Sequence, residues 1–331
     1  MFDLRRREFI TLAGGALAWP LAARAQQRER MRRIGMLLPF VEDDPEAQLR
    51  VNALRQTLRE LGWAEGQNFS IDYRWTGNNP GHMRSYAKEL VGLTPDVIVV
   101  NSTLVLAALK NETKTVPIVF VQVPDPVEAG FVESLARPGG NITGFTNFEY
   151  AMAGKWLDLL KDIVPHLAQA MVIQNPGDWA SSAYARQIAT LAPSIGVQLS
   201  TPDVHDATEL EHALGTLAHN SNAGLIVLPG IFTLANREPI VGLAAQYRLP
   251  AVYPYKYFIT AGGLISYGVD TVDLYRRAAG YVDRILKGAV VGNLPVQAPV
   301  KFELVINRKT TKQLGVELPL HLQQLADQVI E

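Results

Sequence analysis

Pro117-Ile-Val-Phe-Val-Gln-Val-Pro-Asp-Pro-Val-Glu-Ala-Gly-Phe-Val-Glu-Ser-Leu-Ala-Arg-Pro-Gly-Gly-Asn-Ile-Thr-Gly-Phe145 is the stretch from which the rest of the chain can be read. Its first part, Ile118 to Val123, is a nearly continuous apolar run, the pattern of a strand buried on both faces of a parallel sheet. The run ends in Pro124-Asp125-Pro126, where two fixed φ angles hold a stiff turn. A short helical stretch is expected next, then a Pro138-Gly139-Gly140-Asn141 turn and a second apolar strand, Ile142 to Phe145. In an open α/β sheet, ligands are met outside the carboxyl ends of the strands. The Asp125 turn stands at such an end.

The same grammar extends in both directions. Upstream, Ile34 to Leu38, Phe69 to Trp75 and Asp96 to Asn101 read as strands, alternating with helices over Ala47 to Leu61, Met83 to Leu93 and Leu104 to Thr113. That alternation predicts βαβ units, a mainly parallel sheet and right-handed crossovers. Downstream the rhythm restarts, with helices over Ala153 to Ile163, Ala180 to Leu191, Glu209 to His219 and Glu238 to Tyr247. Between and after them lie strands at Ala170 to Gln174, Val197 to Ser200, Ala223 to Leu228, Ala251 to Tyr253 and Leu264 to Ser266. Leu274 to Lys287 is an amphipathic helix, with Tyr275, Ala278, Ala279, Val282, Ile285 and Leu286 on one side. The tail from Pro299 holds one strand and two short helices, too little to fold alone, so it completes lobes begun earlier. Two α/β lobes with the chain crossing between them several times make a hinged cleft.

The amino terminus reads as an address. Arg5, Arg6 and Arg7 form a charged region, Phe9 to Ala22 a modest apolar one, and Ala23-Arg24-Ala25 a peptidase site, predicting cleavage after Ala25. Arg6-Arg7-Glu8-Phe9-Ile10 fits a twin-arginine export signal, and an ordinary Sec signal with an extra arginine stays open. The apolar run falls short of the ~20 residues that span a bilayer. The chain contains no cysteine, which removes a lipid-anchoring lipobox, disulfides, thiolate metal sites and cysteine nucleophiles. A periplasmic protein without a membrane anchor is expected. The net charge of −1, with no basic stripe, argues against nucleic acid.

Enzymatic signatures are missing: no Gly-x-Ser-x-Gly elbow, no phosphate-binding Gly-rich loop with Lys-Ser/Thr, no His-Glu-x-x-His. Catalysis, a cofactor and a metal are not expected. His205, His212 and His219 fall along one helical face but too far apart to share a metal. Loops at strand ends are better candidates. Phe40 follows the first strand, and Asn101-Ser102-Thr103 follows the third, directly before a helix whose amino end can seat a carboxylate or simply be capped. Asp125 either closes an Asx turn or approaches a ligand. The aromatic cluster Tyr253-Pro-Tyr-Lys-Tyr-Phe258 and the Tyr267-Gly-Val-Asp270 loop offer tyrosines that grip a ligand or pack between lobes. Asp270 is a helix cap or an ammonium partner. Trp179, Phe148 and Tyr150 are weaker candidates.

Residues 117–145, together with Arg248-Leu-Pro-Ala-Val-Tyr-Pro-Tyr255, Gly262-Gly-Leu-Ile-Ser-Tyr-Gly268, Asp273 to Gly288 and Lys301-Phe-Glu-Leu-Val-Ile-Asn307, resemble the ABC transporter substrate-binding protein family that includes tryptophan- and tyrosine-binding members. The resemblance implies a type I periplasmic binding fold, two Rossmann-like lobes joined by three crossover strands. It implies one lobe of about 33–146 with 266–300 and another of about 147–265 with 301–331. It also implies a monomer that captures a small solute, an amino acid or related carboxylate, and delivers it to the membrane permease of an ABC importer. On that pattern Asn101, Ser102, Thr103 and Asp125 face the cleft from one lobe, and Tyr253, Tyr255, Tyr267 and Asp270 lie near the hinge and the opposing wall; with Phe40 at its strand end, these are the expected ligand-binding residues. A sensor module serving a receptor stays open, and a periplasmic α/β enzyme is the further rival.

Overall fold

The computed structural model describes residues 30–147, 149, 151–174 and 179–331, the side chain of Trp179 aside. The expected export signal, Phe148, Tyr150 and the Trp179 ring lie outside the described residues.

Five parallel strands build the first sheet: β1 (Arg32–Leu38), β2 (Phe69–Trp75), β3 (Val97–Asn101), β4 (Ile118–Val121) and β5 (Ile142–Phe145), in the order β2-β1-β3-β4-β5. All five residues of β3 and all four of β4 are buried, which is why these segments read as unbroken apolar runs. Alternate residues feed opposite faces. Ile34, Met36, Val97, Val99, Val119 and Val121 face α1 (Pro45–Glu60), while Leu37, Ile98, Val100, Ile118 and Phe120 face α2 (Pro80–Gly92) and α3 (Thr103–Glu112).

The second sheet contains β6 (Gln169–Ile173), β7 (Gln198–Ser200), β8 (Ala223–Val227), β9 (Ala251–Tyr253), β10 (Ile265–Val269), β11 (Phe302–Asn307) and β12 (Gln328–Ile330). Its order is β7-β6-β8-β9-β10-β11-β12, parallel except between β10 and β11. One face carries α4 (Ala151–Ile163) and α5 (Trp179–Leu191); the other carries α6 (Ala207–Ala218), α7 (Ile231–Ala235), α8 (Arg237–Gln246) and α9 (Lys256–Thr260). After β10 the chain returns to the first sheet. There α10 (Thr271–Leu286) lays Leu274, Tyr275, Ala278, Ala279 and Val282 beside α1. Two short helices, α11 (Arg308–Leu314) and α12 (Leu320–Leu325), close the tail.

The chain therefore passes between the sheets after Phe145, after Val269 and after Gln297, where Gln297 still bridges to Phe145. Ser266 to Val269, expected with the first lobe, pair within the second sheet instead. The helical stretch expected after Pro126 is a run of turns, and β12, α7 and α9 are additions too short to show a period. The helix expected over Glu209 to His219 is α6, so His205 precedes it and His219 caps it.

Candidate functional site

Read outward from β6, the second sheet repeats the first: β7-β6-β8-β9-β10 matches β2-β1-β3-β4-β5. In this order the strand direction of connection reverses between the first and third strands, and the crevice opens at their carboxyl ends. The two crevices face each other. From the first lobe come Phe40 after β1, Arg50 on α1, Asn101 to Leu104 after β3, and Gln122 and Pro124 after β4. From the second come Ala180 and Tyr184 on α5, Pro229 to Ile231 and Leu234 after β8, and Tyr255 and Tyr257 after β9. Asn147 enters from the first crossing. The space they line is about 90 Å³ and opens to solvent.

The polar side of this pocket is unusual in its strain and in its unsatisfied groups. Ser102 has φ 78° and Gln122 φ 60°, left-handed conformations that non-glycine residues adopt at a cost. Ser102 stands at the amino end of α3 without capping it, and its buried hydroxyl has no protein partner. Gln122 Oε1 accepts from Asn101 Nδ2 at 2.8 Å and, weakly, from Arg50 Nη1 at 3.5 Å. Arg50 is 2 % exposed and places its guanidinium 5.0 Å from the Phe40 ring and 5.6 Å from the Tyr257 ring. Asn147 Nδ2 donates to the Tyr255 hydroxyl at 3.0 Å, leaving a buried Oδ1 without a protein donor.

The aromatic side is built from stacked tyrosines. The Tyr255 and Tyr257 rings stack with centroids 5.3 Å apart and planes inclined by 28°. Burial pushes the Tyr257 phenol well above its ordinary range, Tyr255 adds to this, and Arg50 partly opposes it. Burial also raises Tyr184, whose hydroxyl accepts the Glu149 N–H. Both phenols stay neutral, able to donate and accept. Among the described residues lining the pocket there is one cation, Arg50, and no carboxylate. At the rim, Arg237 Nη1 reaches Asp44 Oδ2 across the cleft at 3.2 Å.

The pocket gathers Phe40, Asn101, Ser102, Thr103 and Tyr255. Four other candidates are placed elsewhere by local chemistry. Asp125 turns its carboxylate back onto the Val127 and Glu128 N–H groups at 3.1 and 3.0 Å, an Asx turn. Tyr253 alternates to the core side of β9, where it stacks on Phe258 at 5.1 Å. Tyr267 stacks on Phe302 at 6.1 Å, with its carbonyl accepting the Trp156 indole N–H at 2.7 Å. Asp270 caps α10 through Val272 and Asp273 and pairs with Lys301 at 2.8 Å. Sequence reasoning missed Arg50, Gln122, Asn147, Tyr184 and the loop after β8. Tyr257 lay inside the aromatic cluster without being singled out.

The chain is similar to known proteins over most of its described length. A tyrosine-binding protein from Clostridioides difficile (strain R20291) is 28 % identical over 263 residues, spanning 79 % of this chain and 75 % of the relative. Among solved structures, a conserved domain protein from Vibrio cholerae superposes with a TM-score of 0.83 at 28 % identity, covering 91 % of this chain and 100 % of that one. An ABC domain in complex with L-Trp from Streptococcus pneumoniae gives a TM-score of 0.82 at 24 % identity, with the same coverage of 91 % and 100 %. The fold is that of two-lobed type I periplasmic binding proteins. A family model described as ABC transporter substrate binding protein matches residues 36–330, and the chain belongs to that family.

Proposed function

We propose that this protein is the periplasmic solute-binding component of an ABC importer, exported by its first 25 residues. It captures an amino acid or a related small carboxylate between its lobes and hands it to a membrane permease. The observation that carries the reading is the pocket itself: carboxyl-end loops of both sheets converge on one space with aromatic walls and a buried guanidinium. The 28 %-identical relative named as a tyrosine-binding protein supports an amino acid with an apolar or aromatic body. Closure follows from the architecture, since three crossings are the only covalent ties between the two sheets among the described residues. The twin-arginine route is proposed for export on the Arg6-Arg7-Glu8-Phe9-Ile10 core.

A thermal-shift screen of the purified protein against amino acids, aromatic acids and branched-chain acids tests the binding reading. A solute at 100 times its dissociation constant adds about 2.7 kcal/mol to stability. A response confined to one chemical group names the solute class. No response across the panel, together with no co-purified solute in native mass spectrometry, removes the amino-acid reading. Uptake tests the import role: deleting the gene should abolish accumulation of the labelled solute that the screen identifies.

A further inference from the structure

Arg50 is a charged side chain taken almost fully out of water. Among the described residues it makes no ion pair, and its Nε and Nη2 are buried without a protein acceptor. Burying a charge without an anion is among the most costly arrangements a fold can hold. The ring faces of Phe40 and Tyr257, at 5.0 and 5.6 Å, recover part of that cost. Guanidinium donors lie in its plane, so the ring faces leave free a fork that matches the two oxygens of a carboxylate.

A second feature points the same way. Ser102 brings a buried, unpartnered hydroxyl to the same pocket. Behind it are the first N–H groups of α3, ten residues long, which have no intrahelical acceptor and favour negative charge. The strained φ at Ser102 and at Gln122 holds these groups in place. The described lining brings one positive charge, that of Arg50, and no carboxylate to the pocket.

We infer that Arg50, with Ser102 and the amino end of α3, forms an anion subsite that holds the carboxylate of the solute. The solute is a small monocarboxylate whose apolar or aromatic body lies against Tyr184, Tyr255 and Ile231. The inference rests on the solute-binding reading and names its chemistry. It also ties recognition to closure, because Tyr257 reaches Arg50 from the opposite lobe.

Calorimetric titration of wild type, Arg50→Lys and Arg50→Met tests it. The probes are 3-phenylpropionate, L-phenylalanine, isovalerate and L-leucine, which carry a carboxylate, and phenethylamine and myo-inositol, which do not. At least one carboxylate should bind wild type, and the other two compounds should not. Arg50→Met should weaken that carboxylate by about 100-fold, and Arg50→Lys by about 10-fold, because an ammonium keeps the charge without the fork. The urea midpoint of the solute-free protein should stay level or rise in Arg50→Met, since a buried unpaired charge is removed. Three results overturn the anchor: carboxylate affinity in Arg50→Met within threefold of wild type, a lower urea midpoint in Arg50→Met with binding retained, or no binding of any carboxylate by wild type. Binding of phenethylamine or myo-inositol alone would leave a solute-binding protein standing and remove only the carboxylate subsite.

Discussion

Asp44 does two jobs at once: its Oδ1 caps α1 by accepting the Glu46 and Ala47 N–H groups, and its Oδ2 meets Arg237 of the opposite lobe at 3.2 Å. The helix it caps carries Arg50 six residues further on. One carboxylate thus ties the helix that carries Arg50 to the opposite lobe. Asp44→Asn separates the two roles, because asparagine still caps but no longer completes the ion pair. Its urea midpoint should move little, by the equivalent of ~0.5–1 kcal/mol, the worth of one partly exposed pair. Solute dissociation should accelerate several-fold, with a weaker dependence on salt than wild type, read by stopped-flow fluorescence. An unchanged off-rate would mean that the pair does not latch the cleft.

Asp270 sits where two crossings meet: its N–H donates to the Lys301 carbonyl and its carboxylate pairs with the Lys301 ammonium. Burial pushes its carboxyl up, but the Lys301 hydrogen bond, the Asp273 N–H and the charges of Lys301 and Arg276 together hold it below the ordinary range. A depressed folded value means that the stability it contributes is present above the unfolded value of ~3.9 and is lost as pH falls through the folded value. Urea midpoints measured from pH 6 to pH 2.5 should therefore fall less steeply in Asp270→Asn than in wild type. At neutral pH the same variant should bind solute within threefold of wild type, since the residue holds the hinge and not the ligand. A tenfold loss of affinity would return Asp270 to the binding site.

Strands and site residues differ in how far a sequence can carry them. Val97-Ile-Val-Val-Asn101 is legible as a strand because a segment buried on both faces must be apolar throughout. Asn101, Ser102 and Thr103 are legible as site candidates because the carboxyl end of a parallel strand is where an open sheet meets ligand. Asp125 and Asp270 are ambiguous by nature, since an aspartate before a helix or turn looks the same whether it caps or binds. Arg50 is the opposite case. It stands on an amphipathic helix, where arginine ordinarily faces water, and only the placement of Phe40 and Tyr257 around it turns it inward. No local period encodes that. Tyr253 and Tyr255 sit two apart, so strand parity alone would put both on one side; the chain leaves β9 at Tyr253, and that ending sends Tyr255 to the pocket.

The tyrosine pair gives a sharp contrast. Tyr255→Phe removes the acceptor for Asn147 Nδ2 in the pocket, and Tyr253→Phe changes a ring stacked in the core on Phe258. Tyr255→Phe should weaken solute binding by about 5- to 10-fold, the worth of one hydrogen bond of ~1–1.5 kcal/mol. Tyr253→Phe should leave affinity unaltered. Titration calorimetry on both variants decides it, and equal losses would show that the aromatic cluster acts as one packed unit.

Two glycines predict opposite signs. A Cβ at Gly268 in β10 would collide with the Pro254 carbonyl oxygen, and Pro254 directly precedes Tyr255. Relief requires β10 and the segment after β9 to part, so Gly268→Ala should destabilise the protein by ~1–3 kcal/mol, the usual cost of overpacking. Because that segment carries Tyr255 and Tyr257, solute affinity should fall as well. Gly280 lies within α10, where a Cβ would meet no neighbouring atom within 4 Å, and helical backbone suits alanine better than glycine. Gly280→Ala should stabilise by ~0.5–1 kcal/mol and leave affinity alone. Urea unfolding of the two variants beside wild type checks both signs. A stable Gly268→Ala protein with wild-type affinity would show that the β9–β10 junction yields without moving the tyrosines, and that the aromatic wall is held from elsewhere.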